Sequence, residues 1–191
     1  PLLAATLILA TLQLVRYSRL RANFPNGLQI AGIPVGGLNR QAAAQRLLEV
    51  YAAPVELQYG EAPIQVSPAV FDFQLDMDSM LAAADLERTR QLFWEGFWEY
   101  LWGRSSNPAE VPLRASLSET RLRNYLEQEI AKRYDRPPTA AKPVVGTVNF
   151  APGEPGLSLD VDGSVALIEG ALRSNRQRMV ALPLTRTDPP R

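Results

Sequence analysis

From Leu2 to Val15 almost every position is apolar, and Arg16, Arg19 and Arg21 follow immediately. The apolar positions lie on all sides of a helix rather than on one stripe, which separates the segment from an ordinary core helix. It is shorter than the roughly 20 residues of a full membrane span, but the chain opens on Pro1 rather than Met. The pattern predicts a membrane anchor or signal-anchor helix over residues 1–23, with membrane contact through residues 1–22 and the remainder outside the cytoplasm. Beyond it the periodicity changes. Residues 28–35 read as a short extended element, with Gly32 and the Gly36-Gly37 pair supplying turns and Pro34 keeping it at a sheet edge.

Asn39 then caps a helix in which Ala43, Leu47, Val50 and Tyr51 recur at helical spacing. A hairpin around Gly60 follows, then extended residues to Leu75 and a helix from Asp78 toward Arg90. The same order returns downstream. Val111 to Ala115 is extended, Ser118 caps a helix with the stripe Leu122, Tyr125, Leu126, Ile130 and Tyr134, and Pro137-Pro138 stops it. Leu157 to Val161 reads as a strand and Asp162 as the cap of a helix with Val165, Ile168 and Leu172 inward, before a strand from Met179 to Leu184. Leu75-Asp76-Met77-Asp78 and Leu159-Asp160-Val161-Asp162 are the most similar pieces, and a strand, cap and helix repeated in order point to duplication. The expected fold is α+β: two tandem, related β-α-β-β-α units with short antiparallel sheets, preceded by the membrane-anchor helix. The units span 24–104 and 105–184, and 185–191 is expected as a Pro-rich linker to a further, C-terminal domain.

All three tryptophans fall in Phe93-Trp94-Glu95-Gly96-Phe97-Trp98-Glu99-Tyr100-Leu101-Trp102. As a helix this run carries more apolar surface than one side of a small domain buries. It either forms core between the units or meets a ligand or partner. Trp94, Trp98, Tyr100 and Trp102 are the candidate ligand-binding residues, because aromatic rings stack on sugars. Arg104 joins them as a fork able to hold a carboxylate by two hydrogen bonds.

Composition narrows the chemistry. The 191 residues contain no histidine and no cysteine, which removes the commonest general base, the commonest metal ligand and any thiolate nucleophile. No catalytic residue, metal site or cofactor is assigned. Twenty basic residues balance twenty acidic ones, so nucleic acid is a poor partner. Neither Lys132 nor Lys142 follows a serine at the Ser-x-x-Lys spacing, and no Gly-x-Ser-x-Gly elbow or phosphate-binding glycine loop occurs. The i, i+2 pairs Asp76/Asp78 and Asp160/Asp162 resemble acid/base carboxylates only superficially, since the second member of each stands where a helix cap belongs.

The run Gly27-Leu-Gln-Ile-Ala-Gly-Ile-Pro-Val-Gly-Gly-Leu-Asn-Arg-Gln-Ala-Ala-Ala-Gln-Arg-Leu-Leu48 resembles the opening of the peptidoglycan-binding domain of VanW-type proteins. Later matches are Gly103-Arg104, Pro152-Gly153 to Gly156-Leu157-Ser158-Leu159-Asp160, Ala166-Leu167-Ile168 and Val180-Ala181-Leu182-Pro183. The same domain precedes some L,D-transpeptidase and class A β-lactamase-like domains. The resemblance implies a non-catalytic, extracytoplasmic module of a membrane-anchored bacterial envelope protein, with peptidoglycan glycan or stem peptide as partner. The alternative is a structural or regulatory domain packing on a downstream serine hydrolase or transpeptidase domain. An enzyme acting through its aspartates is the third reading.

Overall fold

The computed structural model describes residues 2–103, 109–143 and 150–189. The chain forms two compact units that are interleaved along the sequence: 1–51 with 75–115, and 52–74 with 116–191. The sequence placed the boundary between units at 104/105, whereas by contacts the chain leaves one unit for the other at 51/52, 74/75 and 115/116.

In the first unit, α1 (Leu2–Leu20) is followed by a loop that returns Phe24 to the core, its amide donating to Leu38 O at 2.8 Å. The strand Gln29–Ile30 pairs antiparallel with Ile33–Pro34 across a tight turn, in which Ala31 and Gly32 both take positive φ (53° and 71°). Successive positive φ values match the right-handed twist of a two-residue hairpin. Gln29–Ile30 also pairs in parallel with Glu110–Val111, leaving Pro34 on the edge strand, where its missing N–H costs nothing. Helix α2 (Arg40–Tyr51) is capped by Asn39, whose side chain accepts from the Ala42 amide at 2.8 Å, and it buries Ala43, Leu47 and Tyr51. Helix α3 (Met77–Thr89) buries Met80, Leu81 and Ala84, and α4 (Phe93–Leu101) carries the aromatic run.

Among the described residues no helix is long and apolar enough to cross a membrane, so the spanning anchor expected over 1–23 is not supported. The reason lies in the second half of α1: its 19 residues include Gln13, Arg16, Ser18 and Arg19, which dilute the apolar run.

The second unit is built on the strand Val55–Tyr59, flanked antiparallel by Ala62–Val66 and parallel by Met179–Ala181. Val55, Leu57 and Tyr59 alternate inward, as the period-2 pattern requires. From Glu119 to Tyr134 the chain is continuously helical: α5 (Glu119–Tyr125), one wider π turn (Leu126–Ala131) and the short α6 (Lys132–Tyr134). Leu122, Leu126 and Ile130 are its buried stripe. Phe71 meets Tyr125 edge-on at 5.5 Å. Helix α7 (Val161–Arg173) buries Val165, Ile168, Ala171 and Leu172. The expected strand from Met179 to Leu184 breaks at Leu182-Pro183, and Leu184–Thr187 pairs instead with Gly156–Leu159. The sheet therefore extends into the stretch read as linker from residue 185, because ladder hydrogen bonds need backbone rather than apolar side chains. The architecture is α+β with small sheets.

One local correction concerns the caps. Asp76 and Asp160, not Asp78 and Asp162, cap α3 and α7, their carboxylates accepting from the amides of Ser79 at 3.1 Å and Gly163 at 3.0 Å. The helices start at residues 77 and 161, which puts the second aspartate of each pair in the first turn, also at the positive end of the helix.

Candidate functional site

Nine residues, Phe93–Leu101, make α4. Its inner face is Phe93, Phe97 and Tyr100, whose ring centroids stand 5.3, 5.5 and 5.5 Å from that of Tyr17 on α1. Tyr17 is thereby buried, and burial is the main influence pushing its hydroxyl above the ordinary tyrosine pKa. Gly96 makes this packing possible: a Cβ there would collide with the Tyr17 oxygen. Further hydrogen bonds fix the helix. Tyr100 Oη donates to Gln13 Oε1 at 3.2 Å, Gln91 Nε2 donates to Glu99 Oε2 at 2.6 Å, and Arg21 donates to Gln91 O at 2.6 Å while its guanidinium lies 5.4 Å over the Phe93 ring.

With one face committed to Tyr17, the other is left outside. Trp94, Trp98 and Trp102 are 61%, 57% and 76% exposed. Phe97, on the inner face, stands 6.1 Å from both Trp94 and Trp98, so the two indoles rest on a buried ring rather than hanging free. Rigid, exposed indoles present a large apolar face at small entropic cost. Of the residues singled out in the sequence, the structure thus brings Trp94, Trp98 and Tyr100 onto one short helix, with Tyr100 turned inward to Tyr17 and Trp102 at the helix's C-terminal cap. Arg104 lies outside the described residues.

Beside α4, in the same unit, two clefts share Pro25, Asn26, Arg88, Gln91 and Glu99 in their walls. The larger, about 520 Å³, adds Glu87, Arg90 and Glu95. The smaller, about 370 Å³, adds Tyr17, Arg21 and Tyr100. Periodicity did not reveal Tyr17, Gln91 or Glu99 as parts of this region. Gly96 was the available signal, since a glycine inside an aromatic helix marks a close approach by another group.

The aspartate pairs sit at the starts of α3 and α7. Asp76 and Asp160 are occupied as caps, and Asp162 pairs with Arg123 at 2.6 Å on the surface of the second unit. Hydrogen bonds from the Ser79 side chain first, and then from its backbone amide, hold the Asp76 carboxyl below the ordinary carboxylate range.

Residues 64–181 match the family described as "Putative peptidoglycan binding domain", more than half of the 191 residues. The chain belongs to this family. No curated protein and no solved structure matches the chain. The peptidoglycan-binding domain family is one of binding modules, and its matched range takes in α3, α4 and most of the second unit. The aromatic helix is therefore part of the family's region, whereas α1 and α2 precede it.

Proposed function

We propose that this chain is a non-catalytic, extracytoplasmic module of the VanW type that binds peptidoglycan in a bacterial cell envelope, at the membrane side of the wall. The observation that carries this reading is the set of exposed indoles at 94, 98 and 102 within the matched range. Glycan strands offer alternating sugar faces, and an indole stacks on such a face without needing a metal or an acid/base group. Arg104 supplies the charged contact to a stem-peptide carboxylate. The alternative reading is a regulatory domain that packs the same indoles on a downstream hydrolase or transpeptidase domain, where tryptophans act as interface anchors.

The test is co-sedimentation of the full chain with purified sacculi. Trp98→Ala should weaken binding by at least about tenfold, the usual size of a hot-spot loss. Its melting temperature should stay unchanged, because the side chain is mostly outside the core. Wild-type binding that Trp98→Ala leaves intact favours the domain-packing reading.

A further inference from the structure

Trp94, Trp98 and Trp102 line neither of the two clefts beside α4. Glu95 and Glu99 do line the larger one, and each follows an indole, Trp94 or Trp98, by one position, about 100° further round the helix. The cleft and the indole face are therefore neighbours on one element. At about 520 and 370 Å³, with five wall residues in common, the two clefts have the size of small-ligand sites.

The charges in these walls differ in how far the protein already uses them. Arg88 is held by Asp85 at 3.2 Å and donates to Arg21 O at 3.2 Å, while Arg21 is committed to Gln91 O at 2.6 Å. Three other groups of the larger cleft are left available. Glu95 has no ion-pair or hydrogen-bonding side-chain partner among the described residues. Glu99 accepts the Gln91 bond through Oε2 alone. Arg90, its side chain 79% exposed, reaches Glu87 at 3.5 Å, an exposed pair of small worth.

Glu95 and Glu99 are like charges one helical turn apart, an arrangement that repels unless a cation joins it. Among the described residues no group of three acidic side chains is placed to hold a metal ion. A phosphate would meet the carboxylates of Glu87, Glu95 and Glu99 in the same wall. An ammonium suits the two α4 carboxylates, since it brings three donors to oxygens that accept. Arg90, at the C-terminal end of α3, offers the opposite charge to a carboxylate of the same ligand.

We infer that this cleft binds a short zwitterionic peptide, its primary ammonium held by Glu95 and Glu99 and a carboxylate held by Arg90. Stem peptides supply both groups, on the peptidoglycan reading on which this assignment rests: they contain a diamino acid and more than one carboxylate, so Arg90 and Arg104 need not compete for one. One helix then takes sugar on its indole face and peptide on the neighbouring face.

Isothermal titration of the full chain with the sugar-free tripeptide alanyl-γ-glutamyl-lysine tests this. Binding is expected, and acetylating the lysine Nζ of the tripeptide should weaken it by at least about tenfold, the scale of a lost charge-assisted hydrogen bond. Glu95→Gln should weaken it by a similar factor with an unchanged melting temperature, because the side chain is exposed and without a partner to lose. Arg90→Gln should also weaken it, and raised salt should lower the affinity further. A tripeptide that does not bind, or that binds equally well when acetylated or to Glu95→Gln, overturns the inference. Co-sedimentation of the same preparation with sacculi separates the two failures. Sacculus binding without tripeptide binding removes the cleft and leaves the peptidoglycan reading; tripeptide binding without sacculus binding keeps the cleft and removes that reading.

Discussion

At Gly96 the missing side chain lets the Tyr17 hydroxyl lie against the α4 backbone. In a solvent-facing helix, glycine to alanine stabilises by about 0.5–1 kcal/mol. Here the sign should reverse, because Tyr17 is wedged among Phe93, Phe97 and Tyr100 and cannot swing aside. Gly96→Ala is expected to destabilise by about 1–3 kcal/mol, the range for overpacking a tight contact. A double-mutant cycle with Tyr17→Phe, which removes the colliding oxygen, should recover part of the loss; equal losses with and without the hydroxyl would locate the strain elsewhere. The caps are the other residue-scale device. Leu38-Asn39, Leu75-Asp76, Leu117-Ser118 and Leu159-Asp160 each put a capping oxygen before a helix, accepting from Ala42, Ser79, Arg121 and Gly163. Asp160→Ala should cost about 1 kcal/mol in urea unfolding. Asp162→Ala should leave the cap intact and remove an exposed pair with Arg123 together with a first-turn charge.

At the scale of elements, one carboxylate ties three segments of the second unit together. Asp135 Oδ1, just past α6, accepts from Tyr59 Oη of the central strand at 2.8 Å and from Leu159 N of the strand Gly156–Leu159 at 3.0 Å. Burial first, and then this bond to Asp135, push the Tyr59 hydroxyl up to about 12. A folded pKa above the unfolded value near 10 means that the folded state holds the proton more tightly. The stabilisation is complete below about pH 10 and is lost as the pH rises through about 12. Urea midpoints should therefore fall steeply across that window, and Tyr59→Phe should flatten the fall while lowering stability at neutral pH. An equally steep alkaline fall in Tyr59→Phe would assign the transition to another tyrosine.

For the whole molecule, interleaving decides what can fold alone. The stretch 105–184 contains α5 to α7 and the strand Met179–Ala181 but lacks Val55–Tyr59, the centre of their sheet, and Phe71, which is fully buried in that unit. Expressed by itself it should show no cooperative thermal transition by circular dichroism, while the full chain does. A sharp transition with native-like helix content in 105–184 would favour a head-to-tail division of the chain.

The sequence alone determined the local elements and much of their inward faces. Ala43, Leu47 and Tyr51, and Val165, Ile168 and Leu172, lie buried where periodicity put them, while Val50 of the first stripe is only half-buried; helix and strand repeats are properties of neighbouring residues. It also carried the pattern of the peptidoglycan-binding domain family and placed the indoles on one short helix and its C-terminal cap. Tertiary structure decided what periodicity does not encode. Strand pairing joins residues far apart in sequence, such as Val55–Tyr59 with Met179–Ala181, so the unit boundaries depend on long-range contacts. The outward set of the α4 indoles depends on which face Tyr17 occupies, and that is fixed by the Gly96 gap and the ring cluster around it. An apolar run predicts a helix; whether protein, water or lipid surrounds it depends on what the rest of the fold leaves uncovered.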